Sequence, residues 1–217
     1  MFTQVFISVS QPHGHVVHSL VAFMTRKSSD LLVATHPDWV HTVLADLDTF
    51  IQDHANSERK ASALAMSLVV KHPDRTRIVP TLIALAQEEL EHFRQVYALM
   101  QSRGLALVKD TQDDYVNQLM ACMRHGREPR FLDRLLVASL IECRGAERFG
   151  IIAGALEDAA LKAFYTTLTK AETKHGHQFV DMALEYVDAD EAYPRLRALA
   201  EREAEIVQGL PWRASLH

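Results

Sequence analysis

The chain is poor in the residues that interrupt helices and in those that staple small folds. Its 217 residues include seven Pro, eight Gly and only two Cys, at Cys122 and Cys143. Two thiols cannot build a disulfide framework or a cysteine-based zinc or iron–sulfur site, and such sparse usage fits a reducing, cytoplasmic setting. Residues 38–72 contain neither Pro nor Gly, which favours long uninterrupted helices. Long apolar runs are also missing. The stretch from Val16 to Met24 is too short to cross a bilayer and lacks a small-residue cleavage pattern, so no membrane partner is expected. A basic excess is absent too: the formal net charge is −5, and composition alone gives no reason to expect nucleic acid. The 48% hydrophobic and 24% charged content is ordinary for one globular domain with a sizeable core.

What is present is helical periodicity. From His36 onward a stripe runs through Val40, Val43, Leu44, Leu47, Ile51, His54, Glu58, Ala61, Ala65 and Leu68 in steps of mostly three and four. That spacing predicts one long helix with Pro37 at its first turn, ending near Lys71-His72-Pro73-Asp74. A second helix carries Ile78, Leu82, Leu85, Glu89, His92, Val96 and Leu99, and stops near Gly104. A third presents Leu132, Leu135, Ser139, Glu142, Ala146, Phe149 and Ala153, and a fourth Leu161, Tyr165, Leu168, Glu172, His175, Phe179 and Met182. The second and third are separated by a long connection whose middle, Asp113 to Arg124, also looks helical. Two antiparallel pairs joined by one long crossover predict an all-α, ferritin-like four-helix bundle. An extra amphipathic helix over Glu191–Val207 is expected on its outside. The expected organisation is a flexible N-terminal extension (1–30), the bundle domain (31–210) and a short C-terminal tail (211–217).

The halves repeat each other. Each supplies one lone Glu and, about thirty residues later, a Glu-x-x-His: Glu58 with Glu89 and His92, then Glu142 with Glu172 and His175. All six stand on apolar stripes where Leu or Val would otherwise be expected. An unpartnered buried carboxylate costs several kcal/mol, comparable to a small domain's whole stability margin. Four converging carboxylates repel one another unless cations neutralise them, and two divalent ions do so. Residues three apart project from the same side of a helix, so a Glu-x-x-His can reach one ion, with the lone Glu bridging or capping. Mixed oxygen and nitrogen donors suit iron or manganese better than zinc. A single Glu-x-x-His is weak because surface helices are rich in both residues. Two, in register with apolar stripes and each paired with a lone Glu, point to a two-metal site.

Neighbouring residues read differently. Glu88 and Glu91 fall off the stripe and are expected to be solvated or paired with Lys or Arg. Glu147 reads as an ion-pair residue and Cys143 as a small buried one, while His177 lies off the His175 face. His54, one turn before Glu58, has two readings: a hydrogen-bonded core histidine, or a residue that holds a ligand in place. Di-iron bundles store iron, scavenge peroxide or activate oxygen. Periodicity does not choose among these, although the lack of Cys-x-x-Cys disfavours a rubrerythrin-type peroxidase.

The stretches Asp53-His-Ala-Asn-Ser-Glu-Arg-Lys-Ala, Leu85-Ala-Gln-Glu-Glu-Leu-Glu-His-Phe and Leu140-Ile-Glu-Cys-Arg-Gly-Ala-Glu-Arg-Phe resemble the bacterial tRNA 2-methylthio-N6-isopentenyladenosine hydroxylase family (MiaE). So does Phe164-Tyr through Glu172-x-x-His175. The likeness runs from about Leu31 to Val207. It implies a cytoplasmic, oxygen-dependent monooxygenase with two iron ions, which uses O2 and an external electron donor such as a reductase or ferredoxin-like protein. It also implies Glu58, Glu89, His92, Glu142, Glu172 and His175 as the iron ligands, with no further catalytic residue. The substrate implied is the isopentenyl side chain of a modified adenosine beside the tRNA anticodon. Arg124, Arg127, Arg130 and Arg134, with His125, form the best local basic cluster for tRNA, and Arg26 and Lys27 could add to it. Two alternatives share the ligand set. A demethoxyubiquinone-hydroxylase-like enzyme needs an exposed apolar face, for which Leu196, Leu199, Ile206, Val207 and Leu210-Pro-Trp212 are the candidates. A non-enzymatic iron-storage bundle needs assembly into a shell.

Overall fold

The computed structural model describes residues 31–110 and 112–217, so the expected flexible extension, 1–30, lies outside the described residues. Among the described residues all regular structure is helical: α1 (Trp39–Ala45), α2 (Leu47–Lys71), α3 (Val79–Ser102), α4 (Asp114–Ala121), α5 (Arg127–Ala155), α6 (Ala159–Leu184) and α7 (Ala189–Gly209). The expected long first helix is in fact two. Asp46 leaves helical geometry (φ −144°, ψ 62°), and its side chain accepts a hydrogen bond from the Thr49 N–H. An Asp that can cap competes locally with continuing the helix, a choice the apolar stripe does not reveal.

The other ends follow ordinary capping rules. Pro80 sits in the first turn of α3, where its missing N–H costs nothing. Gly104, at φ +71°, takes the left-handed position that lets the Leu105 N–H reach back to the Met100 carbonyl at 2.9 Å. Asp113 caps α4 and Asp158 caps α6 by accepting from the N–H groups of Val116 and Leu161.

Helix α2 packs along α3, and α5 along α6, as two hairpins whose crossover contains α4. The core they enclose is divided. One cluster gathers the C-terminal part of α2, the N-terminal part of α3, and Leu132, Leu135, Leu136, Phe179 and Val180, with α7 closing it outside. The other gathers Phe50, Ile51, Val96, Met100, Phe149 and Tyr165, together with Trp39 and Val43 of α1. Every bundle helix passes from one cluster to the other, and the six polar positions lie between.

The outer layer is fastened by a buried ion network. Arg144, fully buried on α5, donates to both carboxylate oxygens of Glu203 on α7 (2.8 and 3.0 Å). It also donates to the Val33 carbonyl, to Thr35 and to Glu147. Tyr115 on α4 donates to the same Glu203 at 2.9 Å. Glu147 therefore takes the ion-pair role expected of it. The segment 211–217 is held as well: the Leu216 N–H donates to Asp53 at 2.8 Å, Arg148 donates to the Leu216 carbonyl at 2.7 Å, and His217 stacks on Tyr115.

Of the described glycines, Gly176 leaves the least room for a side chain. A Cβ there would stand 2.8 Å from Cys143 Sγ and 3.3 Å from the Ser139 carbonyl, while Ser139 Oγ donates to the Gly176 carbonyl at 2.7 Å. Gly176→Ala is expected to destabilise the fold by about 1–3 kcal/mol through overpacking. Gly154→Ala, with nothing within 4 Å of the added Cβ, should be neutral or stabilising by about 0.5–1 kcal/mol. Urea unfolding of the two variants against the parent checks both signs.

Candidate metal centre

The four bundle helices bring the six candidate residues together. Glu58 comes from α2, Glu89 and His92 from α3, Glu142 from α5, and Glu172 and His175 from α6; none is more than 8% exposed. Two overlapping groups form, each with ligand atoms within 4.8 Å of one another: Glu58, Glu89, His92 and Glu172, and Glu89, Glu142, Glu172 and His175. Glu89 and Glu172 belong to both. Glu89 turns Oε2 toward His92 Nδ1 (3.2 Å) and Oε1 toward His175 Nδ1 (2.7 Å). Glu172 likewise turns Oε1 toward His92 Nδ1 (3.5 Å) and Oε2 toward His175 Nδ1 (3.2 Å). Two ions held here would share Glu89 and Glu172, while Glu58 and Glu142 would each serve one, a division that sequence spacing leaves open.

The residues fit a pair of cations. Glu89 Oε1 and Glu172 Oε1 are buried yet make no aligned hydrogen bond, which is costly unless something else satisfies them. Four carboxylates and two imidazoles form the donor set of carboxylate-bridged iron or manganese sites. Without ions, protons do the neutralising. Burial raises the carboxyl groups of Glu58, Glu142 and Glu89, and the Glu172 charge adds to the effect. Glu172 moves the other way: burial alone would raise it, but hydrogen bonds from His175 and His92 hold it below the usual carboxylate range. Burial alone would lower both histidines; the surrounding carboxylates outweigh it, raising His175 to about 10 and His92 higher still.

Around this cluster the neighbours sort themselves. His54 is fully buried and its Nε2 lies 2.6 Å from Glu58 Oε1, which makes it a hydrogen-bonded core histidine beside the cluster. Burial lowers its pKa to about 3. Nε2 shares this hydrogen bond with the Glu58 carboxyl, while Nδ1 faces the Tyr165 hydroxyl at 3.4 Å. Glu91 pairs with Arg94 at the surface. Glu88 pairs with Lys174 at 2.8 Å, as its off-stripe position suggests. It also approaches His175 Nε2 to 3.4 Å, a contact between α3 and α6 that periodicity within one helix cannot disclose.

An apolar cavity of about 400 Å³ reaches the cluster. Glu58, Glu142 and Glu172 lie at its polar end, and Ala61, Leu64, Ile141, Phe149 and Leu216 line its apolar walls. Ser67 and Arg134 are shared with a second cavity of about 480 Å³, which is bordered by Lys71, His72, His125, Arg127 and Arg130. Of the basic candidates, Arg124 is held by the buried carboxylate of Asp133 and Arg127 by Asp74. Among the described residues, Arg130 and Arg134 have no carboxylate partner; Arg134 lies against Met120 Sδ.

The histidines set a sign for stability against pH. Above about pH 6.5 the unfolded chain has released imidazole protons that folded His92 and His175 still hold. The metal-free protein is therefore expected to lose stability as pH rises from about 7 to about 9. Divalent ions displace those protons, so the loaded protein should show no such decline. Thermal melts across that range, with and without ferrous ion under anaerobic conditions, check both outcomes.

Comparison with known proteins agrees with the geometry. Residues 22–217 match the family described as tRNA-(MS2IO6A)-hydroxylase (MiaE). A Pseudomonas putida protein named tRNA 2-(methylsulfanyl)-N(6)-isopentenyladenosine(37) hydroxylase is 33% identical over 173 residues, 79% of this chain and 84% of the relative. A Salmonella typhimurium protein of the same name is 30% identical over 131 residues, 60% of this chain and 48% of that relative. Among solved structures, a Synechococcus protein with aldehyde deformylating oxygenase activity superposes with a TM-score of 0.82 at 32% identity, covering 86% of this chain and 94% of the other. With nearly the whole described chain inside the match, this protein belongs to the MiaE tRNA hydroxylase family.

Proposed function

We propose that this protein is an iron- and oxygen-dependent monooxygenase that hydroxylates the isopentenyl side chain of 2-methylthio-N6-isopentenyladenosine beside the anticodon of tRNA. The observation that carries this reading is a pair of unlike cavities with a common wall. An apolar chamber has Glu58, Glu142 and Glu172 in its lining, and it shares Ser67 and Arg134 with a basic groove. A branched five-carbon chain on a polyanion needs both environments: an apolar recess for the chain and cations for the phosphates.

The six-residue cluster is the ligand set for two iron ions, which when bound supply the activation of O2 that this chemistry requires. The protein's own residues do the rest. Leu64, Ile141 and Phe149 exclude water and hold the isoprenoid against Glu58 and Glu142. Lys71, Arg130 and Arg134 face the nucleic acid backbone as point charges, which gives affinity without reading sequence. Arg124, committed to Asp133, contributes less. Electrons come from an external reductase or ferredoxin-like donor, and the setting is cytoplasmic. Residues 31–210 form the di-iron domain, with 211–217 closing one side of the chamber.

The quinone alternative loses part of its support: of the face it needs, Leu196, Leu199 and Ile206 of α7 are buried, while Trp212 is exposed. The second reading is an apolar small molecule such as an aldehyde, favoured by the activity of the Synechococcus neighbour; the basic groove favours tRNA over it.

Nucleoside analysis of tRNA from cells with and without the protein tests the assignment. Loss of the hydroxylated nucleoside, restored by iron-loaded protein with reductant and O2, supports tRNA; an unchanged profile moves the substrate to a small molecule. Glu142→Ala should lose metal and activity together, read by iron analysis beside turnover. Arg130→Glu combined with Arg134→Glu should raise KM for tRNA about tenfold or more at low salt, with iron content intact. It should also flatten the dependence of log KM on log salt by about one to two units.

A further inference from the structure

The internal repeat aligns Glu58 with Glu142, Glu89 with Glu172 and His92 with His175. Among the flanking positions at which the two halves differ, two carry side chains that touch the cluster. Four residues before the lone Glu stands His54 in the first half and Ala138 in the second; one residue before the Glu-x-x-His stands Glu88 in the first and Ala171 in the second. Both odd residues contact a member of the cluster. His54 Nε2 lies 2.6 Å from Glu58 Oε1, and Glu88 Oε2 lies 3.4 Å from His175 Nε2. They also act on different groups, since Glu58 clusters with His92 and His175 with Glu142.

Each contact has a definite chemical effect. His175 turns Nδ1 into the cluster, so when Nδ1 serves an ion the ring proton must stay on Nε2. An anionic acceptor at Nε2 fixes that tautomer, holds the ring and strengthens the donor atom. His175 Nε2 is buried and makes no aligned hydrogen bond, and Glu88 is the carboxylate beside it. Glu88 Oε2 also pairs with Lys174 Nζ at 2.8 Å, so the acceptor beside His175 is one half of an ion pair. His92 faces its carboxylates through Nδ1 only, and Ala171 offers its ring nothing comparable. On the other group, His54 Nε2 lies 2.6 Å from Glu58 Oε1; when Glu58 serves an ion as a carboxylate the ring must donate there, which would withdraw charge from that carboxylate and leave Oε2 toward His92. Ala138 does nothing of the kind to Glu142.

We infer that the two metal positions are inequivalent: Glu88 is a positioning residue that strengthens the position of Glu142 and His175, and His54 tempers the position of Glu58 and His92. This rests on the metal-centre reading above. The ions therefore load in order, the His175 position first.

Titration of the metal-free full chain with Co2+, followed by visible absorption and by competition with a chelator, tests the inference. Two resolved steps are expected. Glu88→Ala should weaken the first about 10–100-fold and leave the second within about twofold. Glu88→Gln, which keeps an acceptor oxygen, should recover most of the loss. His54→Ala should change the second step alone and shift only the corresponding absorption. Two equal steps in the parent, or equal weakening of both by Glu88→Ala, would overturn the inequivalence while leaving the metal centre standing. Binding of fewer than two ions by the parent would overturn the centre itself. Far-UV circular dichroism of each metal-free variant separates these effects from misfolding.

Discussion

The central constraint on this fold is the mutual repulsion among four buried carboxylates. Glu58, Glu89, Glu142 and Glu172 form a polar layer across the bundle, with one apolar cluster on each side of it. Such a layer is tolerable only with compensating positive charge. Histidine protons supply part of it, through His92 and His175, and the two apolar clusters supply the burial that keeps the helices together despite it. The layer is thus a local frustration held within an otherwise consistent core, which is where a functional site is expected to lie.

A second buried charge cluster stabilises the first by fixing the scaffold. Arg144 is two residues past Glu142, and its guanidinium is bound by Glu203, Glu147, Thr35 and the Val33 carbonyl. The run Glu142-Cys-Arg144-Gly-Ala-Glu147-Arg148-Phe149 therefore presents one side to the metal layer and another to this network. Arg148 holds the Leu216 carbonyl, and Phe149 lines the apolar chamber. Removing one partner from such a buried ion pair is far more damaging than never having had it, because the remaining charge is left uncompensated.

Much of the bundle could be read from the chain because the helices are long and their stripes strongly periodic. The six ligand candidates were visible for the same reason: a Glu on an apolar stripe is conspicuous. Periodicity resolves position around a single helix and nothing across the gap to another. The ending of α1 at Asp46 depends on a side-chain cap, and the approach of Glu88 to His175 depends on how α3 meets α6. The division into shared and unshared glutamates needs individual oxygen positions. The basic cluster was found as a sequence run, but only the fold separates Arg124, bound to Asp133, from Arg130 and Arg134 at the groove.

The wall contributed by Leu216 carries a consequence for the order of events during synthesis. Leu216 lines the apolar chamber and is pinned by Asp53 of α2 and Arg148 of α5, yet it is translated after every helix. Domains fold as units while the chain emerges from its N-terminal side. The bundle and its six candidate ligands can accordingly assemble while the chamber still lacks that wall. A nascent protein would pass through a stage in which the six residues are gathered but the chamber is open to water, because its sealing waits on residues translated after α7.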